Sequence, residues 1–143
     1  MKHLTIYLPI GGVLLFIAAL VFTVVLQSRY PEIAVADQKL LERSVIIDRV
    51  FLNSDGFVAI HMSDAKGDLV RSSSIGHLPL EPGLSFNVDV RLSRPVPSGT
   101  KLFAVVHRDT GSAGRYEFGR SATSKDPIAL VHGEPVATAF LVD

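Results

Sequence analysis

Leu4 to Leu26 is a run of twenty-three residues without a charge, and it constrains the chain more than any other stretch. Its only polar side chains are Thr5, Tyr7 and Thr23. As a helix rising roughly 1.5 Å per residue it would be about 35 Å long, enough for a hydrocarbon core of about 30 Å. The run therefore reads as one transmembrane helix, with residues 1–31 forming an anchor and juxtamembrane linker and residues 32–143 a separate domain. Lys2 and His3 supply a short positive flank before the run, which favours a cytoplasmic N-terminus and a C-terminal domain outside the cytoplasm. Arg29, just after it, weakens that asymmetry. A cleaved leader is the competing reading, because Ala34-Val35-Ala36 has the small-residue pattern of a cleavage site. That site follows an apolar run that is too long and lies too far from it, so a retained, single-pass signal anchor in the cell membrane is the expectation.

The anchor carries a second pattern. Gly12, Ala19 and Thr23 share one helix face, and Gly11 with Ala18 broadens it. Small residues aligned in this way let another helix approach closely in lipid, so they are the candidate helix-packing residues. The expected partners are the bilayer and the other subunits of a membrane protein complex.

All fourteen acidic residues lie at or beyond Glu32, where they face twelve Lys and Arg. A nearly neutral domain of mixed signs argues against a nucleic-acid partner, which needs clustered basic charge. The absence of cysteine removes disulfides, thiolate metal sites and cysteine nucleophiles. About a hundred residues must then be held by their core alone, as a single domain.

After Glu32 the apolar pattern changes to a period of two. Ser44 to Leu52 is rich in β-branched residues, and Asn53-Ser54-Asp55-Gly56 is a turn signal leading into Gly56 to Met62, so the two read as a hairpin. Leu84 to Leu92 alternates, with Leu84, Phe86, Val88, Val90 and Leu92 expected to face the core. Lys101 to His107 is apolar on both faces, as an interior strand would be, and Pro135 to Val142 closes the chain as a further strand. Pro/Gly-rich connectors separate these segments, and only Asp37 to Arg43 hints at a helical period. Six or seven short strands about ten residues apart predict an all-β, antiparallel sandwich.

Several segments together resemble an uncharacterised family. They are Gly56-Phe57-Val58-Ala59-Ile60-His61; Ile75-Gly76 with Leu80 and Pro82-Gly83; and Leu102 to His107, followed by Asp109-Thr110, Gly114 and Tyr116-Glu117-Phe118. The family is a domain-of-unknown-function group with an immunoglobulin-like sandwich, seen in exported and cell-surface proteins of archaea and bacteria. The resemblance implies that fold and an extracytoplasmic location, and it brings no established activity. Gly111-Ser112-Ala113 stands where the family usually carries acidic or amide residues.

His61 and His107 each end an apolar strand, with Asp64 and Asp109 close behind. If the strands are neighbours the imidazoles can meet, with His77 or His132 as further ligands for zinc or copper. The simpler reading is that each histidine donates a ring N–H to a loop carbonyl and fixes a turn, which leaves the protein without a cofactor. The loop Asp109 to Gly114 has too few carboxylates for calcium, and Tyr116 and Phe118 read as a short strand or a plug packing beneath it. Ser72, Ser73 and Ser74 lack the glycine pattern of a nucleophile elbow, so no enzyme is expected. The function that follows is a membrane-anchored extracytoplasmic interaction module, an accessory or structural subunit of a larger complex. The alternative is a free-standing surface domain that binds a metal ion through His61 and His107.

Overall fold

The computed structural model describes residues 30–40, 42–119 and 125–143, so Leu4 to Leu26, with Gly12, Ala19 and Thr23, lies outside the described residues. Among the described residues no helix is long and apolar enough to cross a membrane. They form nine strands: β1 Glu32–Ala34, β2 Ser44–Leu52, β3 Gly56–Met62, β4 Gly76–Leu80, β5 Gly83–Arg91, β6 Thr100–Arg108, β7 Leu130–Val131, β8 Glu134–Pro135 and β9 Ala137–Val142. One sheet has the order β1-β2-β5, a second the order β4-β3-β6-β9, and β7 pairs with β8. Every strand pairing is antiparallel. The strands anticipated at 44–52, 56–62 and 101–107 are present, and 37–43 contains no helix among its described residues.

The two larger sheets share one core. Val45, Ile47, Val50 and Leu52 of β2 and Val88 and Val90 of β5 meet Val58, Ile60, Leu102, Ala104, Val106, Phe140 and Val142 of the second sheet. Each of these side chains larger than alanine, fully buried, contributes roughly 1.5–3 kcal/mol. Pro79 is accommodated because β4 is an edge strand, where a missing N–H removes no ladder bond. Gln38 ties the sheets together. Its backbone N–H donates to Leu141 O (3.0 Å) beside β9, and its side-chain amide exchanges two bonds with the backbone of Ile46 on β2 (2.8 and 2.9 Å).

Two expectations are corrected. β2 and β3 are not a hairpin, since β2 pairs with β1 and β5 while β3 pairs with β4 and β6. Asn53 to Asp55 carries the chain from one sheet to the other, because both strands bury apolar residues in the shared core. Nor do Leu84 and Phe86 face the core: they are 55% and 61% exposed, whereas Val88, Val90 and Leu92 are buried. The β2–β5 register runs from Ser44↔Arg91 to Leu52↔Gly83 and omits only Asp48 opposite Asn87. Asn87 has φ of 51°, the left-handed region that asparagine tolerates better than most residues. At that point both strands change faces. Inward positions on β2 pass from Ile47 to Val50, and on β5 the alternation breaks between Val88 and Phe86.

Ile60→Ala should therefore lower unfolding free energy by about 2–5 kcal/mol. Phe86→Ala should change it by only about 0.5 kcal/mol. Urea midpoints of the two variants check the difference.

Candidate functional site: a buried histidine pair under a loop

The second sheet is buried on both faces at its centre. Phe57, Ala59, His61, Val105 and His107 are each 0% exposed yet lie outside the shared core, because they point away from it. They are covered by the loop that follows β6. Tyr116 lies across Phe57 (ring centroids 5.1 Å), and Phe118 meets His107 edge-on (4.5 Å) and His61 (5.7 Å). These rings act as the anticipated plug, with no strand at 116–118. Close contact between strands helps to build the layer. Gly56 faces the His107 carbonyl oxygen, which a β-carbon there would strike, so β3 and β6 approach closely at this point.

Asp126 holds the cover down. Its buried carboxylate accepts N–H bonds from Thr110 (2.9 Å), Gly111 (3.2 Å) and Glu117 (2.6 Å), while its own N–H donates to the Thr110 hydroxyl (3.1 Å). Nothing in the apolar periodicity marked Asp126. Its signal is local: an aspartate directly before Pro127, where the chain is biased toward a turn.

The sequence expectation that His61 and His107 could meet is realised. They sit four residues apart along the β3–β6 register, on one face, and lean together across the paired Ala59 and Val105. Their Nε2 atoms are 3.0 Å apart, whereas the ring centroids are 5.2 Å apart in nearly parallel planes (13°), so the rings meet nitrogen to nitrogen. Each Nδ1 faces a carbonyl oxygen, His61 toward Val70 (2.8 Å) and His107 toward Asp126 (2.7 Å). A carbonyl only accepts, so both Nδ1 atoms are the donors and both Nε2 lone pairs converge. Three contacts need three ring protons, and two neutral imidazoles carry two. A third ring proton would supply the missing donor and make the pair cationic.

Burial opposes that charge. Desolvation lowers His61, partly offset by the Val70 bond. It lowers His107 to about 4, against the bond to the Asp126 carbonyl and aided by the neighbouring His61. Tyr116 is pushed up to about 12 by burial, with Ser74 opposing the shift and the Asp126 charge reinforcing it.

The other candidates go elsewhere. His77 stacks on Tyr116 (4.2 Å, 20°) at the edge of the cover, and burial lowers it too. His132 takes a left-handed turn position (φ 53°) between β7 and β8, with its ring against Tyr30. Asp64 accepts the N–H groups of Lys66 and Asp68, and Asp109 that of Gly114, so each aspartate shapes its own loop. Among the described residues no group of three or more His, Asp or Glu gathers around one point.

A family model described as a domain of unknown function, DUF7282, matches residues 31–143. Cell surface glycoprotein 2 of Haloarcula hispanica is 33% identical over 86 residues, 60% of this chain and 9% of that protein. Cell surface glycoprotein 1 of the same organism is 29% identical over 86 residues, with the same coverage. No solved structure matches the chain.

The pair sets an acid dependence of stability. Between the ordinary value of about 6.5 and the folded value of about 4, the unfolded chain binds a proton at His107 that the native state refuses. Stability should fall as pH falls through that window, by about 3 kcal/mol at most for His107. Urea unfolding at a series of pH values should show His107→Gln flattening the slope by close to one proton.

Proposed function

The chain belongs to the DUF7282 family, and from that premise we propose that its domain is an immunoglobulin-like sandwich displayed outside the cytoplasm. It is held at the membrane by Leu4 to Leu26 and works by contact with other proteins, as an accessory or structural subunit of a larger complex. The likeness to cell surface glycoproteins supports a surface-exposed location. The strand order supports the fold. β1-β2-β5 facing β4-β3-β6-β9 differs from the constant-type immunoglobulin order only in that the fourth strand sits on the sheet of the third.

One observation carries the contact role. The change of face at Asn87 turns Leu84 and Phe86 outward on β5, beside half-buried Phe51 of β2. Continued alternation would have buried them. A left-handed residue in mid-strand that exposes two large apolar side chains is better explained by a partner than by the domain's own stability. Glu32 pairs with Phe51 and Phe51 with Leu84, so this patch lies in the row where the chain enters from the apolar run. A partner embedded in the same membrane would meet it there, while the Gly12, Ala19 and Thr23 face packs against that partner's helix.

Isolation of the complex in mild detergent tests the reading. Leu84→Ser with Phe86→Ser, and separately Gly12→Leu with Ala19→Leu, should each release the partner, with thermal unfolding of the domain little changed. Co-purification unaffected by both pairs overturns it.

The convergent Nε2 atoms of His61 and His107 favour a second reading, a metal ion between the imidazoles. Their Nδ1–H bonds to carbonyls are the outer-shell arrangement that orients a ligating histidine. Titration with zinc or copper should then give one bound ion per chain, lost in His61→Ala and in His107→Ala. Binding retained in both variants sinks it.

A further inference from the structure

A groove of about 620 Å³ opens beside the cover, where the first turn of chain after β5 meets β4. Arg43, Arg91, the consecutive serines Ser72 to Ser74, His77 and Tyr116 line it, and no carboxylate does. Among the described residues neither arginine is in an ion pair. Glu42 and Asp89 line a neighbouring hollow, which shares only Arg91 with this one.

The backbone fixes these groups in place. Arg43 has φ of 71°, and its carbonyl accepts the Leu92 N–H (2.8 Å). Arg91 is held opposite Ser44 in the β2–β5 register. Gly76 lets β4 press against that strand, since a β-carbon there would lie 2.6 Å from the Arg91 oxygen. The close approach brings exposed His77, stacked on Tyr116, to the same groove as the guanidinium groups.

The Tyr116 hydroxyl is buried beside Ser74, so the tyrosine serves the groove by holding His77 in place through its ring. Two guanidinium groups in no ion pair among the described residues, a row of hydroxyls and a flat exposed ring call for a ligand that is anionic, hydroxylated and cyclic. We propose that this groove binds an acidic sugar, with Arg43 and Arg91 on its carboxylate or sulfate group. The serines take its hydroxyls, and the C–H face of the pyranose lies on His77. An acidic peptide would use the arginines and leave the hydroxyls and the ring unused.

The site shares Tyr116 with the cover over the histidine pair, but neither His61 nor His107 lines it, so its test is separate from theirs. Full-length protein in detergent is titrated with glucuronic acid and with glucose 6-sulfate, following binding by calorimetry and saturation-transfer NMR. At least one should bind about tenfold more tightly than glucose, and whichever does identifies the acidic group. Arg43→Gln with Arg91→Gln should weaken that binding about tenfold without moving the thermal midpoint, because both side chains are exposed. Raising the salt concentration should weaken it further. Glucose binding as tightly, inorganic sulfate binding as tightly as either sugar acid, displacement by an equal concentration of tetraglutamate, or no binding at about 10 mM would each overturn the proposal.

Discussion

The ladder between β3 and β6 is the constraint on which the rest depends, because it is buried on both faces. Facing inward, Val58, Ile60, Leu102, Ala104 and Val106 form the middle of the shared core. Facing outward, Phe57, Ala59, His61, Val105 and His107 would be exposed on an uncovered sheet, and an antiparallel sheet commonly leaves one face wet. The long connection after β6 exists to close that face. Its conformation is set by Asp126, whose carboxylate gathers three N–H groups from the loop while its carbonyl orients His107. Cover and histidine pair are thus one construction, joined through Asp126 and the rings of Tyr116 and Phe118.

The opposite sheet solves a different problem. Three strands cannot match four in width, and β2 and β5 change faces together at Asp48 and Asn87, keeping their register while exposing the far ends of their apolar rows. Gln38 compensates at the margin. Its backbone joins the second sheet beside β9 and its amide serves Ile46 on β2, so one residue bonds both layers. Replacing that amide with an apolar side chain would leave the Ile46 N–H and carbonyl to find partners elsewhere.

Most of the strand pattern could be read from the chain. β-branched runs between Gly/Pro connectors located β2, β3 and β6 to within a residue and β9 to within two, with Pro135 falling in β8 instead, because burial on one or both faces imposes a period of two or a continuous apolar run. β4 was not recognised, since Gly76-His77-Leu78-Pro79-Leu80 carries a proline that only an edge position tolerates. The orientation of Leu84 and Phe86 was misread for a deeper reason. Alternation is a local signal, and one left-handed residue resets its phase without altering the pattern of letters. Connectivity escaped in the same way: Asn53 to Asp55 has the composition of a hairpin turn, yet which sheet the next strand joins is decided by the core.

The histidine pair was half visible. That His61 and His107 end adjacent strands could be inferred, but their head-on contact depends on Ala59 being small enough for two rings to lean across it. Once they meet, the chemistry is restrictive. Each Nδ1 is committed to a carbonyl, so neither ring can turn without abandoning a buried hydrogen bond, and the converging Nε2 lone pairs cannot both be satisfied by neutral imidazoles. Two apolar side chains of similar volume would stabilise the layer without that conflict. A fold that keeps the conflict places two buried imidazoles under a loop that Asp126 organises, and the same loop carries Tyr116 out to His77 at the surface.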